Sequence, residues 1–338
     1  MAKAIKEKEE KLLYDKLVEQ LNKKYSSTEK EYFDLSTGSL GLDIILGGKG
    51  LRSGRIVEVI AWEGAGKTTL CLHLIAEAQK RKMKVAYIDA EHALDKKYAE
   101  NIGVDWEALK PTLFQPSNGE EAFEYAKTLI NSGELKLCIF DSTSGMLPKK
   151  QMEDPAGSSN LGLHARLFSS ELPKVNLAAS NNNCLVVFVS QVREKIGVMF
   201  GSPETTQAGN ALKFWASTRL DLRKTLAKDG DDVIGLKTKF KVLKNKTASP
   251  YQIVEVPIVF GIGFDRIQEL IEMADENGIL KLWGKSVTFE ETKYVLEDFK
   301  ELLQTNEEFF NDIRDKTIEK ILHPEIKIKE EPIMEITT

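Results

Sequence analysis

The sequence is short of the residues that build metal centres and disulfide frameworks. In 338 residues it has three cysteines and four histidines. Cys71, Cys138 and Cys184 lie in apolar segments without metal-ligand spacing, and His73, His92, His164 and His323 show no such spacing either. This argues against a zinc site or a disulfide scaffold, and the thiols read as reduced, buried groups of a cytosolic protein. There is no apolar run of about 18 residues, so no membrane-spanning helix is expected. The opening stretch MAKAIKEKEEKLLYDKL lacks the apolar h-region of a secretory signal. These absences together predict a cytoplasmic chain with no membrane partner. A strongly basic balance is also missing: the net charge is −5, which on its face argues against nucleic acid.

The distribution of charge says otherwise. From Arg219 to Lys246 there are nine Lys/Arg against four Asp, and from Asp265 onward ten Lys/Arg against nineteen Asp/Glu. A basic stretch in a core with an acidic appendage is the asymmetry of a nucleic-acid binder; a surface mosaic without such a role fits the charges equally well.

Residues 61–69 read AWEGAGKTT and follow the apolar run Ile56–Ile60, with a helical pattern after them over Leu70–Arg81. Strand, glycine-containing loop and helix in that order form a phosphate-binding loop. Loop N–H groups and a helix N-terminus converge on anionic oxygens. The segment Ala61, Trp62, Glu63, Gly64, Ala65, Gly66, Lys67, Thr68, Thr69 is therefore the candidate nucleotide cradle. Lys67 is assigned to the β- and γ-phosphates and the Thr68 hydroxyl to Mg²⁺. Ala61 stands where the pattern has its first glycine, which requires a negative φ there.

Apolar strands then alternate with helices. Strands are predicted over Val85–Asp89, near 112–115, over Leu137–Asp141 and over Leu185–Ser190, with helices over 95–102, 119–131 and 163–180. Continuous apolar strands between helices imply an α/β fold with a mainly parallel sheet covered on both faces. After residue 214 the helices drop out. Phe214–Leu222, Lys239–Lys244 and Ile253–Phe260 read as antiparallel strands, and 267–323 as an acidic lobe of short helices and turns. Residues 3–24 carry Leu12, Leu13, Leu17, Val18 and Leu21 at helical spacing, an exposed amphipathic helix. The division expected is 1–34 for an N-terminal assembly helix and linker, 35–265 for the core, and 266–338 for a small acidic α+β domain and tail.

Asp141 ends an apolar strand, where a carboxylate can hold Mg²⁺ beside a phosphate loop. Glu91 follows the strand Val85–Asp89, at the strand end where open α/β sheets bind ligands. A carboxylate there can activate water against a γ-phosphate; the alternative is an N-cap for the next helix.

Four stretches make a resemblance specific: STGSLGLDIILGGKGLRSGRIVEV at 36–59, YIDAEHALDKKYAENIGVD at 87–105, KIGVMFGSPETTQAGNALKFWASTRLDLR at 195–223 and KVLKNK at 241–246. Over roughly residues 35–265 the chain resembles the bacterial RecA recombinase family. The resemblance implies a RecA-like P-loop ATPase core and an ATP-dependent recombinase that forms filaments on single-stranded DNA and pairs it with homologous double-stranded DNA. It implies ATP and Mg²⁺ as cofactors, DNA-dependent hydrolysis, and roles in DNA repair and the SOS response to DNA damage. Glu91 then resembles the catalytic carboxylate. Asp95 and Tyr98 resemble the adenine contacts, and Gln191 the γ-phosphate sensor linked to a DNA loop. Lys244 and Lys246 resemble a pair that reaches the ATP of a neighbouring subunit, and Phe214, beside Lys213, an inter-subunit contact.

Two segments without periodic pattern, 153–162 and 192–209, would line the filament axis. Arg166, Lys174, Arg193 and Lys195 are the candidate phosphate contacts. Leu161 and Ile196 are apolar wedges, and Gly197, Thr205, Gly209 and Asn210 are small or polar neighbours of the DNA. Pro173 interrupts the helix after Arg166 where the family carries a basic residue, and Lys174 adjoins it. Loader proteins and a repressor are further candidate partners. Two other readings share parts of this pattern: a RecA-fold helicase, whose motifs do not call for GVMFGSPETT or ALKFWASTR, and a nucleotide-gated single-stranded-DNA-binding protein without catalysis, which intact Lys67, Glu91 and Asp141 oppose.

Overall fold

A computed structural model describes residues 2–25, 31–155, 162–194, 204–206 and 209–322. Residues 1–33 form one unit, containing helix α1 (Ala2–Tyr25). Leu12, Leu13, Tyr14, Leu17 and Leu21 of that helix are exposed.

The second unit begins with β1 (Asp34–Leu35), α2 (Leu40–Ile45) and β2 (Leu51–Arg52). The alternating region follows: β3 (Ile56–Ala61), α3 (Lys67–Lys80), β4 (Lys84–Asp89), α4 (Lys96–Ile102), α5 (Trp106–Leu109), β5 (Leu113–Phe114), α6 (Gly119–Asn131), β6 (Leu135–Asp141), α7 (Lys149–Glu153), α8 (Leu163–Asn182) and β7 (Leu185–Glu194). Next come β8 (Glu204–Thr206), α9 (Gly209–Trp215), β9 (Thr218–Asp229), β10 (Asp232–Asn245), β11 (Ile253–Val259) and β12 (Gly263–Phe264). The remainder is α10 (Arg266–Glu276), β13 (Lys281–Trp283), β14 (Ser286–Phe289), β15 (Thr292–Val295), α11 (Leu296–Thr305) and α12 (Glu307–Leu322).

Side-chain caps start the helices where the sequence offers Asn, Asp or Ser. Asn118 accepts from Glu121 N–H at the head of α6, Asp95 from Tyr98 N–H at α4, and Asp265 from Gln268 N–H at α10. The main sheet runs in the order β12-β11-β10-β9-β3-β7-β6-β4-β5. From β9 to β5 the pairing is parallel, and β10, β11 and β12 add antiparallel strands at one edge. The alternation of side chains sorts the two faces. Ala86, Ile88, Cys138, Phe140, Val186 and Phe188 pack against Phe123 of α6 and Phe168 of α8. The Phe140 and Phe188 rings stack with centroids 4.4 Å apart. Glu58 on β3 is fully buried and meets Arg219, its register partner on β9, at 2.5 Å.

Three sequence expectations change. The strand expected over Phe214–Leu222 begins only at Thr218; Phe214 lies in the last turn of α9, where buried Leu212 and Ala216, four residues apart, are joined by the Ala216 N–H to Leu212 O bond that ends the helix. The lobe expected as an α+β domain has that make-up, but where its elements were expected to be short helices and turns alone it holds a three-stranded antiparallel sheet, β13-β14-β15, over a core that includes Leu270, Val287, Phe289 and Phe299. The patternless segment 192–209 is partly strand: Val192, Arg193 and Glu194 pair with Thr206, Thr205 and Glu204.

A buried carboxylate joins α10 to α2. Glu269, 2% exposed, accepts from Ser39 Oγ at 2.5 Å, Leu40 N–H at 3.1 Å and Gly41 N–H at 3.0 Å. Burial pushes its carboxyl up to about 7 from an ordinary 4.5, against the lowering pull of those three bonds. The folded chain thus holds this proton more tightly than the unfolded chain does. Its contribution to stability is full below about 4.5 and is lost as the pH rises through about 7. Urea unfolding across that window should show wild type weakening with rising pH, and Glu269→Gln should flatten the dependence.

Candidate active site

Strand β3 is buried along its whole length and delivers the loop at its carboxyl end. Ala61 is the last strand residue and is outside the set of positive-φ residues, so its methyl group is tolerated where the loop pattern has glycine. Gly64 and Gly66 have φ values of +65° and +89°, the left-handed region that glycine takes without strain. Lys67 opens α3, and its Nζ donates to Trp62 O at 3.0 Å. Burial pulls the Lys67 ammonium down, while Asp141, Glu91 and Glu63 pull it up. From β9, Lys224 Nζ donates to Glu63 O at 2.9 Å and steadies the outer loop.

Parallel register brings the acidic groups to the same end. Asp89 pairs with Asp141 between β4 and β6, and Ala61 with Gln191 between β3 and β7. Asp141 is buried; its Oδ2 accepts from Thr68 Oγ1 at 2.8 Å and from Tyr87 OH at 2.6 Å. Burial raises its carboxyl above the ordinary range, and the Tyr87 and Thr68 bonds hold it back. Two hard oxygen groups side by side on α3 and β6 suit Mg²⁺. Glu91 Oε1 accepts from Ser142 Oγ and, at 2.7 Å, from Gln191 Nε2. Glu91 itself is exposed and caps no helix; Asp95 caps α4 in its place.

Tyr98 bonds to Thr69 Oγ1 at 2.7 Å. With Gly64, Gly66, Lys67, Thr68, Leu236, Ile258 and Phe260 these two line a cavity of about 260 Å³, polar at the loop and apolar beyond it. A larger cavity of about 540 Å³ opens near Lys84, at the other end of β4, and contains none of these groups.

Lys244 and Lys246 lie elsewhere. Strand β9 runs parallel to β3 and pairs Leu222 with Ala61, whereas β10 returns antiparallel and pairs Lys244 with Arg219. Lys244 is thus at the amino-terminal end of the parallel strands, away from the loop. Its Nζ donates to Lys213 O and Phe214 O, both at 3.1 Å, and Phe214 is 70% exposed. Lys246 and Asn210 are exposed. Arg166 is exposed in the first turn of α8, and exposed Lys174 pairs with Glu171 at 2.7 Å across Pro173, which the helix accommodates. Leu161, Lys195, Ile196 and Gly197 lie outside the described residues. Arg193, Thr205 and Gly209 are described by backbone only, the first two as partners across β7 and β8.

Sequence reasoning missed Ser142, Tyr87 and Asp89. Ser142 follows the strand-ending acid directly, and Asp89 accepts from Ala93 and Leu94 N–H and Gln115 Nε2, which fixes the loop bearing Glu91. A hydroxyl beside a strand-end acid is the signal that marks Ser142.

A Gly-Lys-Thr loop between β3 and α3, with a hydroxyl on an adjacent strand-end carboxylate, defines a P-loop nucleotide-binding α/β protein. The family model for the RecA N-terminal domain matches residues 1–265. Similar proteins include Protein RecA of Chloroherpeton thalassium, 43% identical over 330 residues and 92% of each chain. Protein RecA of Cytophaga hutchinsonii is 49% identical over 261 residues, 77% of this chain and 73% of that one. Protein RecA of Porphyromonas gingivalis is 45% identical over 299 residues, 88% and 87% of the two chains. The chain belongs to the RecA family.

Gly66 tests the cradle. A Cβ there would lie 2.7 Å from Ile258 Cδ1 and would sit on left-handed backbone. The left-handed cost alone is about 1–2 kcal/mol. Gly66→Ala should therefore weaken nucleotide binding roughly tenfold or more by calorimetric titration, with the far-UV spectrum unchanged.

Proposed function

We propose that the loop from Ala61 to Thr69 binds ATP with Mg²⁺ and that hydrolysis turns over a filament of this chain on single-stranded DNA. RecA-family membership supplies the class: the chain is an ATP-dependent DNA recombinase and a DNA-dependent ATPase. One observation supports the mechanism most. Gln191 holds Glu91 and stands two residues before Arg193, in the strand that enters the β7–β8 pair. Nucleotide chemistry and the candidate DNA segment therefore share one strand.

Lys67 would bind the β- and γ-phosphates once its ammonium leaves the Trp62 carbonyl. Thr68 and Asp141 would hold Mg²⁺, which supplies charge neutralisation at the phosphates. Glu91 would orient and deprotonate the attacking water, and Gln191 would report the γ-phosphate to the DNA segment. Tyr98 and Asp95 would contact the adenine. Lys244 and Lys246 cannot serve their own loop, since the strand polarity puts them at the far end of the sheet. They would stabilise charge in a neighbour's site, with Phe214 and Lys213 in the same interface. Such a contact joins two different surfaces, which propagate as an open helix where the rotation does not close into a ring, and RecA-family membership favours the helix.

Lys239 and Lys241 are exposed on β10, while Leu236, Thr238, Phe240 and Val242 between and beside them are buried; the basic stretch is thus one solvent face of a strand. Residues 1–34 would serve assembly, 35–265 the core and 266–338 the acidic domain, in a cytoplasmic protein that takes loader proteins and a repressor as partners. The deciding experiment is strand exchange between circular single-stranded and linear duplex DNA; no joint molecules with ATP present would defeat the reading.

Glu91→Gln should keep ATP and DNA binding while lowering turnover by roughly 10²-fold or more. Inactive Glu91→Gln and Lys244→Ala chains, mixed, should partly restore hydrolysis, because each completes a site the other lacks. Absence of rescue at every ratio counts against a shared site. Arg193→Ala or Lys195→Ala should weaken binding alike for unrelated single strands and reduce the slope of log affinity against log salt by about 0.7 per lost phosphate contact.

A further inference from the structure

Tyr87 is a buried polar side chain that the chemistry above leaves unused. It is 1% exposed, near the end of β4, and pairs in register with Ile139 of β6. Ala86 and Ile88 belong to the face packed on α6 and α8, so Tyr87 points to the other face of the sheet, the face that Ile139 and Asp141 share. Its hydroxyl donates to Asp141 Oδ2 at 2.6 Å, the same oxygen that accepts from Thr68 Oγ1 at 2.8 Å.

A phenyl ring would fill this space without the cost of burying a hydroxyl. What the hydroxyl adds is a second donor on one carboxylate oxygen. Two donors from different elements, β4 and α3, fix the rotation of the carboxylate about its own axis; one donor does not. We propose that Tyr87 is a positioning residue for the divalent cation: it orders the Asp141 carboxylate against Thr68 before the metal–nucleotide complex arrives. The inference rests on the nucleotide-site reading above. Without the hydroxyl, that ordering falls to the binding step. Immobilising one side chain on association costs enough to weaken binding several-fold.

The test uses the full chain without DNA. A fluorescent, non-hydrolysable ATP analogue is bound at a series of Mg²⁺ concentrations and also in EDTA. Tyr87→Phe should raise the Mg²⁺ concentration at half-maximal binding roughly threefold to tenfold, with affinity in EDTA unchanged. Thermal unfolding run in parallel reports any loss of packing. An unmoved Mg²⁺ midpoint overturns the proposal, and so does equal weakening with and without Mg²⁺. In an Asp141→Ala background, which leaves the Tyr87 hydroxyl no acceptor at this position, the added Tyr87→Phe change should leave the midpoint where the single variant has it. A further shift of the same size there would show that the hydroxyl acts by a route other than the Asp141 carboxylate, and the proposal would fail. Wild type that binds no analogue at any Mg²⁺ concentration would sink the site reading and this inference together. Normal wild-type binding with no effect of Tyr87→Phe sinks only the inference.

Discussion

Parallel pairing of β3, β7, β6 and β4 is the constraint on which the site depends. A parallel strand brings each partner's carboxyl end to one edge of the sheet. Here that edge receives Ala61 opposite Gln191 and Asp89 opposite Asp141. The loop, the strand-end acid, the candidate base and its glutamine come from four segments far apart in the chain. No local propensity gathers them; the register does. The Phe123, Phe140, Phe168 and Phe188 cluster on the α6–α8 face holds that register. A slip of one residue in β6 or β7 would turn the Phe140 or Phe188 ring to the opposite face, away from Phe123 and Phe168.

At the edge so formed, charge is buried in compensating pairs. Lys67 loses water but sits among Asp141, Glu91 and Glu63; Asp141 loses water but takes two hydroxyl donors. A lone buried charge would be costly, whereas a set that is partly satisfied within the protein can exchange partners at lower cost. In the proposed binding step Lys67 would give up a backbone carbonyl, not a fixed carboxylate, on moving to phosphate. The weak partner is the one that has to be left.

Much of this was legible in the sequence because it is local. The Gly66-Lys67-Thr68 loop needs only its flanking strand and helix to be read, and Asp141 ends an unmistakable apolar run. What was not legible is either long-range or short. Tyr87 and Asp141 are 54 residues apart, and nothing in YID tells a bonded hydroxyl from an ordinary strand tyrosine. Strand β8 has three residues, below any useful period, and exists only through its pairing with β7. Phe214 was read as strand because apolar residues continue past it to Leu222, yet the spacing of Leu212 and Ala216 obeys the helical period up to Trp215.

The same register accounts for the separation of Lys244 and Lys246 from the loop. Because β10 runs antiparallel to β9, its last residues return to the amino-terminal edge of the parallel strands. Three residues along β9, from Leu222 to Arg219, are about 10 Å of strand, and the loop itself extends beyond Ala61 in the other direction. No side-chain rotation of a lysine closes that gap within one chain. The phosphate role proposed for Lys244 and Lys246 is therefore open only across a contact with another copy. With Phe214 exposed beside them, that edge has both the charge and the apolar anchor that such a contact uses. In the proposed function, sheet polarity, set by the alternation of strands and helices, is thus the reason that Lys244 and Lys246 would act only within an assembly.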